Sequence, residues 1–392
     1  MKIALDLRRI KNLGIGRYMI CLVEALLAQD PLTDYLLILP PGAEGLIRIA
    51  GTNAEVIISD LKYYSVREQL QLPKILSHHK VDLLHSPHFV LPLMRPCPSV
   101  VTIHDVIGIA CKDDLGSQLG RLYYRAMISA AVRLADKIIT DSNFSREDIV
   151  RLLGISPEKI EVIYPGISSN FQPVKDCRRL DAIRSKYKIS HEFMVYAGIF
   201  KPRKNHAALL RAFQKFLSYE QQANLVLVGP SSAVDSELRR LALELGIANN
   251  LIFTGVVDDL ELAALYSAAR VYACPSVYEG FGFTVLEAMA CGTPVVCNPR
   301  TSLQEVAGDA ALYANPANPD EFAHALFQAF SDPAIRDTLQ QNARKNLQRF
   351  SWSNTAAQTL AVYHQAMRIS DRSTTVTLAV APTRTDKSAP SN

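Results

Sequence analysis

The sequence predicts a two-domain α/β protein in which each domain has a parallel sheet covered by helices on both faces. Short apolar segments alternate with helical segments along most of the 392 residues. The strand segments are apolar throughout instead of alternating with polar residues, which is typical of strands buried on both faces of a parallel sheet. The alternation stops at one polar, turn-rich stretch and then starts again, which indicates two similar halves.

In the first half, residues 1–175, seven apolar segments predict strands: KIALDL, DYLLILP, AEVIIS, VDLLHSP, PSVVTIHDV, KIITDS and KIEVIYPG. GRYMICLVEALLAQD has apolar residues at helical spacing. REQLQLPKILSHHK predicts a helix interrupted by Pro73, because proline lacks the N–H that a helix interior needs. SREDIVRLLG predicts a helix with a serine N-cap and an acidic first turn, so Ser142, Ser145 and Asp148 are interpreted as a cap at the end of a strand.

The segment at 166–190 is polar and rich in turn residues, and it predicts the linker between the domains. The second half, residues 185–350, has strand segments EFMVYAG, NLVLVGP, NLIFTG, RVYACPS and PVVCN, again separated by helices. Residues 351–370 predict a helix that crosses back to the first domain. Residues 371–392 lack periodicity and are rich in Ser, Thr and Pro, which predicts a disordered tail.

The composition is that of a globular enzyme, with 48% hydrophobic and 20% charged residues. The net charge of +4, from 42 basic and 38 acidic residues, is too small to predict nucleic-acid binding, and it is compatible with an anionic ligand or an anionic membrane surface. Seven cysteines without a CxxC pair predict reduced thiols. With no recognisable signal peptide and no apolar stretch of membrane-spanning length, we expect a cytoplasmic protein.

The segment EGFGFTVLEAMACG, which follows the strand RVYACPS, places two acids around a glycine loop at a helix start. Gly280 and Gly282 permit close approach of the backbone to a ligand. The free N–H groups at 283–285 form an anion site at the helix N-terminus. Glu287, one turn into the helix, is placed to accept from ribose hydroxyls, with Glu279 on the near side of the loop. The alternative is an ordinary glycine turn whose acid favours the helix dipole.

The longer segment EGFGFTVLEAMACGTPVV resembles the E-x7-E signature of the retaining glycosyltransferases of family 4, also called group 1, and the resemblance extends over nearly all of residues 190–330. It implies the GT-B fold, in which two Rossmann-like domains face each other across a cleft and the second domain holds most of the sugar nucleotide. The resemblance implies that Glu287 binds the ribose of the donor and that Glu279 contacts the transferred sugar. It also implies that the backbone amides of Gly282, Phe283 and Thr284 bind the diphosphate and the donor sugar.

A basic cluster, GIFKPRKNHAALL, lies between a strand and a helix of the second half. Lys201, Arg203 and Lys204 are placed to neutralise a diphosphate leaving group. As a solvated helix start the cluster is unusual, because cations are disfavoured at a helix N-terminus. Many relatives carry Gly-Arg just before this point, whereas this chain has Gly198-Ile199, so we expect Arg203 to take over that arginine's role.

The loop NLGIGRYM follows the first strand. As a dinucleotide-binding fingerprint it is incomplete, because Met19 stands where the third glycine belongs and no acid ends the second strand. The family resemblance instead implies a glycine loop that faces the donor across the cleft, in which Gly14 and Gly16 permit close approach. Arg17 is expected to contact phosphate or acceptor.

A buried strand ends in His104-Asp105. A histidine at a strand end is by itself more often structural, but the resemblance implies that His104 faces the donor sugar and acceptor and donates a hydrogen bond. His85 and His88, at the previous strand end, are expected to shape the acceptor side. The resemblance implies retention through front-face attack assisted by the departing phosphate, with no metal and no other cofactor, and no DxD run occurs in this sequence.

The first half, with GIGRY, VREQLQLPKIL and VTIHDV, resembles bacterial mannosyltransferases of O-antigen and exopolysaccharide assembly. We therefore expect GDP-mannose as donor, with a UDP-hexose as the alternative. The expected acceptor is a saccharide or lipid-linked saccharide at the cytoplasmic membrane face. Tyr63, Tyr64, Arg121 and Arg125 support a peripheral contact with that membrane or belong to ordinary amphipathic segments. A sugar-nucleotide epimerase and a non-catalytic binding protein are the rival functions.

Overall fold

The computed structural model describes residues 1–12, 14–49, 53–63, 65–111, 118–230 and 233–379. The strands of the first sheet are β1 Lys2–Asp6, β2 Asp34–Leu39, β3 Ala54–Ile58, β4 Leu83–Ser86, β5 Ser99–Thr102, β6 Lys137–Thr140 and β7 Ile160–Val162. Over these residues the sheet has seven strands, all parallel, in the order β3-β2-β1-β4-β5-β6-β7. The seven predicted strand segments are thus confirmed.

The helices of the first domain are α1 Ile15–Gln29, α2 Val66–His78, α3 Ile107–Ala110, α4 Gln118–Leu134 and α5 Asn143–Leu153. The predicted interruption at Pro73 is wrong, because α2 continues through it. The buried side chains of Leu72 and Leu76 pack this helix onto the sheet, and this packing outweighs the local preference of proline. Helix α5 begins after the N-cap Ser142, whose hydroxyl accepts from the amide of Ser145. The N-cap therefore lies three residues before the serine of SREDIVRLLG, and the predicted acidic first turn is wrong because the acids fall in the second turn.

The predicted polar linker contains a helix, α6 Cys177–Lys186, capped by Asp176. Its polar composition hides one apolar anchor, Ile183, whose side chain is buried in the core of the second domain. Residues 166–190 therefore include a surface element of the second domain.

The strands of the second sheet are β8 Phe193–Ala197, β9 Asn224–Val228, β10 Leu251–Gly255, β11 Val271–Cys274, β12 Val295–Cys297 and β13 Ala311–Tyr313. Its helices are α7 His206–Phe216, α8 Ala233–Glu244, α9 Asp259–Ala268, α10 Phe283–Ala290, α11 Ser302–Ala307, α12 Pro319–Ser331 and α13 Pro333–Asn346. The described strands are parallel in the order β10-β9-β8-β11-β12-β13. The sequence reading missed the short elements α11 and β13.

The last helix, α14 Trp352–Ala379, packs against α1, β5 and β6 of the first domain. The hydroxyl of Tyr363 lies 2.6 Å from Nδ1 of His85. The hydroxyl of Thr355 donates to the carbonyl oxygen of Tyr164 at 2.7 Å. The tail predicted from residue 371 is helical as far as Ala379, because a nucleated helix gains one hydrogen bond for each residue it adds. Residues 380–392 lie outside the described part.

The strand order of both sheets reverses at one pair of neighbours, β1 and β4 in the first sheet and β8 and β11 in the second. Loops that leave the carboxyl ends of such strands enclose the ligand crevice of open α/β sheets. Apolar clusters cover both faces of each sheet, so the carboxyl edges are left for polar residues. Among the described helices, none has the length and apolar composition needed to cross a bilayer.

Candidate active site

A cavity of about 350 Å³ lies between the carboxyl edges of the two sheets. The first domain lines it with Gly14, Ile15, Tyr18, His104, Asp105 and Asp141. The second domain lines it with Ile199, Arg203, Lys204 and residues 279–284. Most of the residues predicted for the site meet here, whereas Gly16, Arg17, Lys201 and Glu287 lie outside the lining.

An ion pair between Lys204 and Glu279 forms part of the cavity wall, with Nζ 2.5 Å from Oε1. Lys204 ends a short 3₁₀ turn after β8, and Glu279 lies in the loop after β11. Both residues are less than a tenth exposed. Burial by itself raises the pKa of Glu279, but the charges of Lys204 and Arg203 outweigh it and hold that pKa below its ordinary value. Glu279 is therefore a carboxylate at neutral pH.

Arg203 joins the two loops of the second domain, because its carbonyl oxygen accepts from the amide of Val277 at 2.9 Å. Its positive charge helps to lower the pKa of Glu279 from the second domain, and it partly offsets the rise that burial causes in the pKa of Asp105 from the first. Ile199 also lines the cavity, and it leaves that part of the wall apolar. Among the lining residues that the structure describes, the cationic side chains are those of Arg203 and Lys204.

The start of α10 presents amides to the cavity. Gly282 has φ 107°, and an added Cβ would lie 2.9 Å from Cδ2 of Leu303, so only glycine fits this turn. Within the described chain, the amides of Phe283 and Thr284 donate no hydrogen bond. The amide of Val285 donates to the carbonyl oxygen of Gly282 at 3.0 Å, so the anion site has two free amides instead of the three predicted.

His104 faces this wall from the first domain. Its Nδ1 lies 2.7 Å from Oδ2 of Asp141, and its Nε2 lies 3.3 Å from the carbonyl oxygen of Pro87. Burial lowers the pKa of His104, but Asp141 outweighs burial and the pKa is raised above its ordinary value. Because an imidazolium is a proton donor, the geometry favours the predicted hydrogen-bonding role over that of a general base.

The loop between Glu279 and Gly282 is fixed to the first domain by two serines at the start of α5. The hydroxyls of Ser142 and Ser145 donate to the carbonyl oxygen of Gly280 at 2.6 and 3.0 Å. An added Cβ at Gly280 would lie 2.6 Å from Cβ of Asp105, so the two domains are in direct contact here. The two serines of the predicted cap therefore also hold the loop 279–282, called the donor loop below, against the first domain.

Glu305 of α11 completes this contact. One carboxylate oxygen accepts from the amide of Asn143 at 2.8 Å, and the other accepts from the amide of Phe144 at 3.1 Å. The hydroxyl of Tyr164 also donates to Glu305 at 2.8 Å. An acid of one domain thus caps a helix of the other, which the helix dipole favours.

Arg17 crosses the cleft next to the cavity. Its guanidinium donates to Oε1 of Glu287 and to Oδ1 of Asp259, and it lies 5.0 Å above the ring of Phe171. Oε2 of Glu287 is buried and has no hydrogen-bond partner among the described residues. The predicted contact of Arg17 with phosphate or acceptor stays a prediction, and in this structure the side chain is held by two carboxylates of the second domain.

The two glycines of the first-domain loop have different surroundings. Gly14 lines the cavity with φ 73°, which favours glycine. An added Cβ at Gly16 would lie 2.0 Å from the carbonyl oxygen of Ile10, so Gly16 permits close packing within the first domain. Gly16 is not among the residues that line the cavity, and its expected approach to the donor stays a prediction.

The histidines expected on the acceptor side lie behind the cavity. His85 is fully buried between Tyr363 and Thr102, and burial lowers its pKa to about 3. Nε2 of His88 lies 3.1 Å from a guanidinium nitrogen of Arg9. Within the described ranges, no three His, Cys, Asp or Glu side chains are grouped so that they could hold a metal ion.

From the sequence, no role was assigned to four residues that line the cavity or hold its loops: Tyr18, Asp105, Asp141 and Glu305. Asp141 directly follows β6, and Asp105 lies three residues after β5, so position near a strand end was the available signal. The carboxylate of Asp105 accepts from the amide of Ile107 at 2.9 Å, and burial raises its pKa. Tyr18 contacts the ring of His104 edge-on at a centroid distance of 4.7 Å. No local pattern marks Glu305.

This arrangement, with basic side chains and open amides facing a histidine across two Rossmann-like domains, defines a GT-B glycosyltransferase. Residues 14–171 match the family described as Glycosyltransferase Family 4, and residues 181–346 match Glycosyl transferases group 1. The chain belongs to this family, and it is a glycosyltransferase.

Two curated relatives are mannosyltransferases. The chain is 34% identical over 291 residues to O-antigen chain mannosyltransferase B of Escherichia coli, covering 74% of this chain and 75% of that protein. It is 30% identical over 267 residues to the serotype-specific mannosyltransferase WbdA of Escherichia coli, covering 67% of this chain and 32% of that longer protein. The fold is similar to sucrose-phosphate synthase from Thermosynechococcus elongatus, with a TM-score of 0.73, 24% identity and coverage of 94% and 100%.

Proposed function

We propose that this glycosyltransferase moves mannose from GDP-mannose, with retention of configuration, to a saccharide or lipid-linked saccharide in cell-surface polysaccharide synthesis. The names of the two relatives support mannose as the transferred sugar. The observation that carries the proposal is the composition of the cavity. Basic residues and open amides of the second domain face the His104–Asp141 pair of the first.

The diphosphate occupies the basic side of the cavity. When the bond between the anomeric carbon and the phosphate oxygen breaks, that oxygen takes the electron pair and gains negative charge. Arg203, Lys204 and the amides of Phe283 and Thr284 stabilise this charge. The acceptor hydroxyl bonds to the anomeric carbon on the same face, and its proton passes to the departing phosphate.

Glu279 and His104 act on the sugar. Glu279 is kept ionised by Lys204, so it accepts from sugar hydroxyls and favours the positive character that develops at the anomeric carbon. His104, protonated beside Asp141, donates a hydrogen bond from Nε2 to the sugar, which then replaces the 3.3 Å contact of that nitrogen with the carbonyl oxygen of Pro87. In this proposal Glu287 accepts from the ribose through its unpartnered Oε2.

A thermal-shift panel of nucleotides and sugar nucleotides tests the donor. We expect stabilisation by GDP and GDP-mannose and none by UDP or UDP-glucose, because binding to the folded state alone raises its stability. Stabilisation by UDP species only supports the UDP-hexose alternative, and stabilisation by none contradicts the proposal. Transfer that is unchanged by EDTA is the expected result for a metal-independent enzyme, and loss of activity restored by a divalent cation is the contrary one.

Helix α4 is the proposed site of a peripheral membrane contact. It carries Arg121 and Arg125 and no acidic residue, and Leu119 and Leu122 are 77% and 66% exposed. Tyr63 does not support this contact, because its ring lies under the guanidinium of Arg8, and Tyr64 is outside the described residues. Sedimentation with anionic vesicles tests the contact.

The expected result is binding that Leu122→Asn weakens. Equal binding to neutral vesicles, or no binding to anionic ones, contradicts the proposed membrane contact.

A further inference from the structure

Arg17 connects the domains through charged groups at the edge of the cleft. It lies in the first turn of α1, and its two terminal nitrogens reach Glu287 of α10 and Asp259 of α9. The Glu287 side chain is 3% exposed, whereas those of Arg17 and Asp259 are 29% and 32% exposed. The other oxygen of Asp259 accepts from Nδ2 of Asn170 at 3.3 Å. A residue of the first domain thus fixes a buried acid of the second.

The two oxygens of Glu287 differ in their surroundings. Oε1 accepts from Arg17, whereas Oε2 is buried without a hydrogen-bond donor among the described residues. Buried polar atoms in folded proteins nearly always have a partner, so an unpartnered carboxylate oxygen indicates a donor that comes from outside the chain. The open amides of α10 lie one turn earlier on the same helix.

We propose that Arg17 is a positioning residue that couples nucleotide binding to the docking of the two domains. It holds Glu287 through Oε1 and leaves Oε2 for a ribose hydroxyl of a nucleoside diphosphate, an inference that rests on the proposed function. Because the two contacts use different oxygens, they do not compete, and the ribose hydroxyl reaches the buried Oε2 by displacing the side chains that cover it. By thermodynamic linkage, nucleotide binding then strengthens the Arg17 contact as much as the Arg17 contact strengthens nucleotide binding.

The charges around Glu287 supply a specific signature for the test. Burial raises the pKa of Glu287, the guanidinium of Arg17 lowers it, and Asp259 raises it. The other titratable groups whose charges interact with Glu287 are Tyr266 and Cys291. Removing Arg17 therefore raises the pKa of Glu287 further, and an ionised carboxylate is the stronger hydrogen-bond acceptor.

The experiment is calorimetric titration of GDP into the full-length protein from about pH 5 to about pH 8, with Arg17→Gln, Arg17→Lys and the control Arg48→Gln. We expect Arg17→Gln to bind about tenfold more weakly, with a larger deficit at lower pH. The ratio of the variant's Kd to the wild-type Kd at each pH cancels the titration of GDP itself. We expect Arg17→Lys to restore most of the affinity and Arg48→Gln to leave it unchanged.

For a second variant, Asp259→Asn, we expect the opposite change in GDP affinity at low pH. The substitution removes the neighbouring negative charge, so the pKa of Glu287 falls and GDP affinity at low pH rises relative to wild type. The proposed coupling is overturned if the ratio of the Arg17→Gln Kd to the wild-type Kd equals the ratio measured for the control Arg48→Gln. It is equally overturned by a pH-independent loss that Arg17→Lys does not restore. Wild-type protein that binds neither GDP nor UDP contradicts the proposed function itself.

Discussion

Among the contacts that join the domains in the described residues, two are built from different chemistry. The α5 contact uses the hydroxyls of Ser142 and Ser145 and the amides at the start of α5, which meet Gly280 and Glu305 of the second domain. The Arg17 contact uses one guanidinium shared between Glu287 and Asp259. The α5 contact is complete, whereas the Arg17 contact leaves one buried carboxylate oxygen without a partner among the described residues.

The difference separates two tasks at one site. Both oxygens of Glu305 accept from backbone amides, and the carbonyl oxygen in the donor loop accepts from serine hydroxyls, so the α5 contact needs no ligand to satisfy these polar groups. The Arg17 contact carries more negative than positive charge and holds an acceptor without a partner among the described residues, so we expect it to respond to a ligand. His104 lies between them, because its carbonyl oxygen accepts from Ser145 and its ring contacts Tyr18, the neighbour of Arg17.

The largest expected effect comes from breaking the α5 contact sterically. Gly280→Ala places a Cβ within 2.8 Å of the carbonyl oxygen of His104, so the donor loop must move away from the first domain. Because a displacement of about 1 Å at a catalytic site costs about 100-fold in rate, we expect a loss of that size in kcat. Steady-state transfer kinetics measure it. Gly45→Ala, with nothing within 4 Å of its added Cβ, is the matched control, and equal kcat in both contradicts the role of the loop.

A smaller effect is expected when the α5 contact loses its hydroxyls without a clash. The double variant Ser142→Ala, Ser145→Ala removes both donors to Gly280, and we expect kcat to fall about tenfold with little change in donor KM. It also removes the cap of α5, which costs about 1 kcal/mol of stability. Ser65→Ala removes the cap of α2 far from the cleft and separates the two effects. A similar loss of kcat in the double variant and in Ser65→Ala contradicts the proposed role of the two serines in holding the donor loop.

The His104–Asp141 pair sharpens the comparison through pH. Asp141 raises the pKa of His104, so the protonated donor is present at low pH and is lost as pH rises through that pKa. Asp141→Asn removes the raising charge, so the alkaline fall in kcat/KM moves to lower pH. At mildly alkaline pH we expect about a 100-fold loss in kcat/KM, the lower end of what a positioned proton donor contributes. An unmoved pH profile contradicts the role of the imidazolium.

The smallest expected effect is the response to salt. Arg17 and Asp259 are partly exposed, so ions screen their attraction, whereas the amides that meet Glu305 are directed hydrogen bonds. We expect the GDP affinity ratio between wild type and Arg17→Gln to shrink about two- to threefold between low and high salt. The Ser142, Ser145 double variant serves as control, with a kcat ratio that salt leaves unchanged. A salt-independent Arg17 ratio contradicts the electrostatic account.

The fold was predictable where burial determines the composition of short segments. Continuous apolar runs such as KIALDL and NLVLVGP indicate strands buried on both faces, and both parallel sheets were confirmed on that basis. Prediction failed where tertiary packing decides. Leu72 and Leu76 keep α2 continuous through Pro73, and α11 and β13 are too short for their period to show.

The sequence predicted which positions contribute to the site, but it did not predict which of these residues contact each other. Gly14, His104, Lys204 and Glu279 follow strand ends, and the carboxyl edge of a parallel sheet collects such residues. Arg17 and Glu287 are 270 positions apart, and no local pattern shows that they meet. The contacts of Glu305 with α5 were hidden for the same reason, because they depend on how the domains face each other.

The central claim is that both domains build one site for a nucleoside diphosphate sugar, with Glu287 at its ribose end. Calorimetric titration of GDP-mannose into wild-type protein and into Glu287→Gln tests it most directly. The account predicts a wild-type Kd between about 1 μM and about 1 mM and at least about tenfold weaker binding to the variant, because charged acceptors form the stronger hydrogen bonds. Equal affinity of the two proteins, or no binding to either, would contradict it.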